Sequence, residues 1–477
     1  SFTNWEGIMS GGVDGKKKDA AVCFAENVTK TTFSDLSETI VEATKKSILD
    51  TVGVMVAASG TTASLRQMAE LVKEIGGKKE STIFGFGDQV PAMFAALTNG
   101  SMTHCLDYDD MHYAAFLHPG GTAVPSAIAL AEKIGNVNGQ ELITAVALGQ
   151  DVAIRMALAA DTRWKMIWMY TPLMGTFGST AASGKLLGLD NQQMVNAFGI
   201  AFCQAASTLE TRYSLGNDMG GMRDGFPAQA GILSALMAQR GITGPINSLE
   251  GRAGLYPVYF AGEYKRDLLL SDLGKRFEGM STGFKFWASC ATTHVYIGAL
   301  LDLIAEHRIA TEDIEEIMVW VGDHARGLCE PQENRRKPAN GIDARFSIPF
   351  VLAVAAVKGR VKIADFTEDS LADIAVLTMA RKVRYTFDPD YNILATGEPP
   401  GKVRITTTTG KELSKRLDIP YGDPRNPISK DRLLEKFREC LSYSARPMSA
   451  ENTKKAVELL DGLENVKDIR MLTELFR

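Results

Sequence analysis

The chain is short of the features that mark several classes of protein. Its six cysteines, Cys23, Cys105, Cys203, Cys290, Cys329 and Cys440, are scattered and form no CxxC pair. That argues against a zinc ribbon or an iron–sulfur cluster, and it fits a reducing compartment such as the cytoplasm. Positive charge is not in excess. A net charge of −5 argues against sequence-independent binding of nucleic acid. No apolar run reaches the length of a bilayer span. The best candidate, 142–160, is interrupted by Gln150, Asp151 and Arg155, so no membrane partner is expected. A basic start followed by an apolar stretch is also missing, so no secretory leader is expected. The glycine run at 84–89 (FGFGDQ) lacks the third glycine of a dinucleotide fingerprint, and there is no Walker motif. No cofactor is therefore expected.

What is present is ordinary globular material, 45% hydrophobic and 23% charged. The length of 477 residues exceeds what one compact core holds, so two domains are expected. Residues 1–18 are polar and rich in Gly and Lys, and read as a loose N-terminal extension. Apolar residues then recur at helical spacing in 40–59, 64–75, 92–104, 121–134, 139–160, 175–187, 191–209 and 228–240. Ala and Gly are dense here, which permits close helix packing. Asp190 is an expected N-cap and Gly188 an expected helix stop.

The pattern then changes. Ile314–Val321 (IEEIMVWV) alternates like a half-buried strand, as do Val383–Phe387 and 403–409, the last followed by Gly410 and a second short segment. Residues 391–401 read as a turn region. Helical spacing recurs at His294–His307 and 346–358, and then at 430–442 and 450–460. The expected fold is mostly α. A large all-helical domain (19–275 plus 428–477) carries an inserted smaller α+β lid (276–427), with a cleft at their interface.

One stretch is chemically dense. Between 104 and 118 lie His104, Asp107, Asp109, Asp110, His112 and His118, including half of the six histidines. Acids and imidazoles at this density would desolvate badly in a plain core. His118-Pro119-Gly120-Gly121 then breaks the helical pattern before an apolar helix resumes. A helix–loop–helix edge of this kind suits general acid–base work. Two other readings stay open. One is a solvated charged loop. The other is a metal site, since His104, Asp107, Asp110, His112 and His118 are all possible ligands, although HExxH and EF-hand spacings are missing.

The phrase N-G-x-x-x-H-x-L-D-x-D-D from Asn99, followed by His118-Pro119-Gly120 and an A-L-A-E helix, resembles the signature of the MmgE/PrpD family. Further segments resemble that family in order: LDTVG at 49–53, GTFG at 175–178, GITGP at 241–245, Phe284-Lys285 with Ser289-Cys290 and His294, and ARFSIP at 344–349. The resemblance implies a helical domain with an α+β lid, a homodimer, and a cofactor-independent enzyme acting on a small carboxylate or polycarboxylate substrate. The family dehydrates 2-methylcitrate, decarboxylates cis-aconitate and epimerises iminodisuccinate. Each reaction passes through a carbanion-like centre beside a carboxylate, which calls for a base, cations on the carboxylates and an acid.

By resemblance, Asp107 and His118 are the active-site acid and imidazole, one acting as general base and the other positioning it or returning a proton. Lys285 matches the family's lysine at the domain junction, where an ammonium could bind a carboxylate. His104 matches a second histidine, here read as packed beside the substrate, and His294 either lines the cleft or caps the next helix. Asp109 and Asp110 are expected to support the loop. The chain departs from the pattern where the family carries His-Pro-Thr. Here Met169-Tyr170-Thr171 stands, leaving Thr171 to touch substrate and Tyr170 as a candidate proton donor. A pocket lysine and histidine are replaced by Arg223 and Phe226. Arg223 keeps the charge and can bind a carboxylate bidentately, but it cannot donate a proton near neutral pH. Met111 stands where a threonine is common. The expectation is a more apolar pocket that takes a smaller or more hydrophobic carboxylate, with no metal.

Overall fold

A computed structural model describes residues 17–160, 164, 167–214, 216–392 and 399–477. The expected N-terminal extension falls almost wholly outside the described residues, as does most of the turn region at 391–401. The longer helices of the first part are α1 (Ala20–Lys30), α2 (Glu38–Thr61), α3 (Ala63–Ile75), α4 (Ala92–Thr103), α5 (Gly120–Ile134), α6 (Gly139–Ala159), α7 (Tyr170–Leu186), α8 (Asn191–Phe202) and α9 (Gly225–Gln239). The fold is mostly α with few strands, as the periodicity predicts.

Helices α5, α6, α7 and α9 pack on one another at the centre. Small residues make this possible. A Cβ added at Gly149 of α6 would sit 2.6 Å from the Gly178 carbonyl oxygen of α7, and one at Gly178 would sit equally close to that of Gly149. By length and composition α6 could cross a bilayer, but 94% of its apolar window is buried inside the fold. Its charges are neutralised in place. Arg155 pairs with Asp151 at 2.8 Å and donates to the carbonyls of Ser271 and Arg276.

Two helix boundaries differ from the periodicity by five residues or more. The α7 helix starts five residues earlier than the pattern indicates, because Pro172 falls in its first turn, where a missing N–H costs nothing. The α8 helix stops at Phe202 rather than 209. Its end tightens through the Cys203 N–H to the Ile200 carbonyl, and Thr208 then bridges to Trp168. Asp190 caps α8 reciprocally with Gln193, as expected.

The second part holds α10 (His294–His307), α11 (Ile348–Lys358), α12 (Ile374–Lys382) and a four-stranded sheet. Its strands are β1 (Ile314–Val321), β2 (Val383–Phe387), β3 (Gly401–Thr407) and β4 (Glu412–Leu417), in the order β2-β1-β3-β4. The β1 and β2 strands are parallel, while β1–β3 and β3–β4 are antiparallel. Helix α10 covers β3 and β4. The chain then forms α13 (Lys430–Leu441) and α14 (Ala450–Asp461). Helix α13 returns to α2, where the Phe437 ring fills the space left by Gly53 and Lys436 pairs with Asp50 at 2.6 Å.

Candidate active site

The loop between α4 and α5 is fixed from three sides. First, residues Asp110–Met111 pair antiparallel with Gly283–Phe284, which brings Lys285 against the loop. Second, both Asp110 carboxylate oxygens accept the Gly120 N–H at the start of α5, and one also accepts the Ser47 hydroxyl. Gly120 is required here, because a Cβ would lie 2.2 Å from Thr51 Oγ1 and 2.7 Å from the Asp110 carboxylate. Third, the Lys436 ammonium from α13 donates to the carbonyls of Tyr108 (2.6 Å) and Lys285 (3.0 Å). Within this frame Asp107 takes a left-handed backbone conformation, with φ at +47°.

Asp109 is the hub. It is fully buried and contacts His104 Nδ1 and His118 Nδ1, each at 3.0 Å. His118 Nδ1 also lies 2.7 Å from the Asp110 carbonyl oxygen, and the His118 backbone N–H donates to Thr171 Oγ1 at 3.1 Å. Both acceptors face Nδ1, so that nitrogen carries the proton and Nε2 is left as the basic position. The two imidazoles are 4.5 Å apart, centroid to centroid. Lys285, only 1% exposed, donates to the Asp107 carboxylate and to its carbonyl oxygen, and lies 3.6 Å from Asp109.

These contacts set the proton affinities. Burial pushes Asp107 up, but Lys285 and His104 outweigh it and hold the carboxyl at about 2. Asp109 is held well below the usual carboxylate range by His104, His118 and Lys285, against its burial. Burial disfavours the charged forms of His118 and Lys285, yet the adjacent aspartates leave both raised. His104 falls to about 4, through burial and the nearby Arg223. Asp110 rises to about 7, because its burial and the neighbouring Asp50 outweigh its hydrogen bonds.

A cavity of about 480 Å³ opens over this cluster, lined by residues of both parts of the chain. His104, Asp107, His118, Lys285, Thr171 and Arg223 all line it. His294 and Tyr170 do not. His294 is buried against Trp287, with Nε2 3.3 Å from the Ser289 carbonyl, and burial together with Lys285 lowers it to about 3. Tyr170 packs edge-on to Phe260. Met169 and Met111 are on the wall as expected, but Phe226 is not; it is 53% exposed. The wall is also more cationic than the sequence reading allows, since Arg212, Arg335 and Arg345 join Arg223 and Lys285. Asp109, expected to support the loop, lies inside the signature stretch, and of the residues missed Arg345 lies inside the ARFSIP segment. Arg212 and Arg335 lie in no local pattern. The carboxylate beside His118 is that of Asp109, while Asp107 is paired with Lys285.

The N-terminal domain of the MmgE/PrpD family matches residues 22–267, and its C-terminal domain matches residues 287–462. The chain belongs to the MmgE/PrpD family. It is 27% identical to a cis-aconitate decarboxylase of Aspergillus terreus over 418 residues, covering 82% of this chain and 83% of the relative. Identity to human cis-aconitate decarboxylase is 26% over 478 residues, covering 96% and 95% of the two chains. A 2-methylcitrate dehydratase of Salmonella typhimurium is 22% identical over 417 residues, covering 82% of this chain and 84% of its own.

The cluster also bears on metal binding. Ligand atoms of His104, Asp109 and His118 lie within 4.8 Å of one another. Each imidazole already meets the Asp109 carboxylate, and the Lys285 ammonium supplies a positive charge beside it. The trio is satisfied by its own members.

Proposed function

We propose that the protein is a cofactor-independent lyase of dehydratase or decarboxylase type acting on a small carboxylic or polycarboxylic acid. The observation that carries this reading is the Asp109–His118 pair beside a cavity whose wall includes Lys285, Arg223 and Arg345. In this reading His118 Nε2 takes the proton from a carbon beside a carboxylate. Asp109 holds the ring in the required tautomer and stabilises the imidazolium that forms. Lys285 remains charged and acts electrostatically, spreading the negative charge that develops on substrate. Thr171 fixes the His118 backbone, and Arg223 supplies a guanidinium at the cavity wall. The family membership and the names of the relatives support the lyase class.

The same reading takes the helical part (19–275 plus 428–477) as the base and 276–427 as the lid. The return of α13 onto α2 supports this division. A homodimer is part of the proposal, supported by exposed apolar side chains at Phe226, Ile242 and Ile246. A cytoplasmic setting is supported by six cysteines with no disulfide.

The test is a screen of small mono-, di- and tricarboxylic acids in D2O, followed by NMR. We expect loss of a proton signal with formation of an alkene or release of carbon dioxide from at least one acid. Deuterium wash-in without net product would instead identify an epimerase. Activity that requires a stoichiometric metal and vanishes on chelation would overturn the reading.

A further inference from the structure

The cavity holds four buried cationic side chains, and three already have acceptors. Lys285 is paired with Asp107 and flanked by Asp109. Arg223 donates to the Gly220 carbonyl and lies 3.7 Å from Asp224. Arg335 donates to the carbonyls of Glu330 and Asp343. Arg345 differs. It is 6% exposed and lines the cavity, and among the described residues no carboxylate lies within 4 Å of it. Its Nε is buried with no hydrogen-bond partner, as is that of Arg223, but Arg223 has an acid at 3.7 Å. Burial lowers the basicity of the guanidinium to about 10, only partly offset by Asp107 at longer range.

The surroundings hold this fork in place without filling it. The Arg345 guanidinium stacks over the Phe366 ring at 4.9 Å. Its backbone carbonyl accepts the Cys290 N–H at 3.1 Å, which ties it to the segment that carries Lys285. Gly341 leaves the room: a Cβ there would press to 2.5 Å on the Phe366 carbonyl oxygen and 3.3 Å on Arg345 Nη1.

We propose that Arg345 is a specificity-determining residue, whose planar fork binds a carboxylate of the substrate bidentately. This rests on the carboxylic-acid reading above and names the group that recognises the acid. A planar fork with open donors matches a carboxylate in geometry as well as charge. Asp107, the acid that acts on Arg345 at longer range, is already paired with Lys285.

The experiment is calorimetric binding of glutarate and of its neutral diamide, glutaramide, to the full chain. A bidentate charged contact corresponds to a preference of about 10- to 100-fold for the acid in the wild-type protein. Arg345→Gln should bring the two ligands within a few-fold of each other, and Arg345→Lys should fall between. Should Arg345→Gln fail to fold, the wild-type protein gives a second readout. Glutarate, unlike glutaramide, should shield Arg345 from phenylglyoxal, scored by peptide mass. Unchanged glutarate affinity in a folded Arg345→Gln variant, or no shielding, overturns the assignment while leaving the carboxylic-acid reading standing. Equal binding of acid and diamide by the wild type overturns that reading too.

Discussion

Three carboxyl groups within four residues share one loop and full burial, yet two of them lose their protons easily and the third keeps its own. Asp107 and Asp109 face Lys285, His104 and His118, whereas Asp110 faces Ser47, the start of α5 and a second acid, Asp50. The strand pairing at Asp110–Met111 turns the two sets to opposite sides. The cavity side is therefore ionic. The core side is closer to a neutral hydrogen-bonded peg. Burial alone does not decide the role of an acid; the charges within a few ångströms do.

The contrast can be broken most severely on the cavity side. His118→Gln should lower kcat by roughly 10²- to 10⁴-fold while leaving thermal stability nearly unchanged, as read by steady-state kinetics beside a melting curve. Lys285→Met should cost about 3–5 kcal/mol in urea unfolding, because Asp107 is left buried without its partner. Adding Asp107→Asn to that variant should recover part of the loss.

The two sides should also respond oppositely to pH. Asp107 has a depressed pKa, so its contribution to stability is present above pH ~4 and is lost as pH falls towards ~2. Asp110 has a raised pKa, so its contribution is present below pH ~4 and is lost as pH rises towards about 7. Asp110→Asn should accordingly gain on the wild type across that window, by at most roughly 1.4 kcal/mol per pH unit. A stability difference that is flat with pH would show that Asp110 is ionised throughout. The smallest effect belongs to Tyr170→Phe, about 1 kcal/mol of stability with turnover unchanged; a large loss of kcat would return Tyr170 to the cavity.

Much of this was legible in the sequence. Helical spacing located α2 to α7 and α9, and alternation located β1 and β2, because periodicity reports which face is buried. The signature loop located His118 and Asp107 as cavity residues, and the Phe284-Lys285 segment located Lys285. The partnership inside the loop was not legible. His118 lies nine residues from Asp109 and eleven from Asp107, and only the turn through Phe116 decides which acid it meets. Sequence likewise places Phe226 beside Arg223, but one points to solvent and the other to the cavity, since they sit on either side of the start of α9. Arg212 and Arg335 reach the cavity by tertiary packing, which no local motif encodes.

Lys436 joins chain segments made at very different times. It closes on Asp50, Tyr108 and Lys285, the first of which leaves the ribosome almost four hundred residues earlier. Until α13 emerges, Asp50 lacks its ion pair, and the segments that carry Asp107 and Lys285 are joined only by their own strand pairing and the Lys285–Asp107 contact. A nascent chain can hold every side chain of the acid–base cluster and still lack an assembled site. The frame around that cluster is completed by one of the last helices to be synthesised.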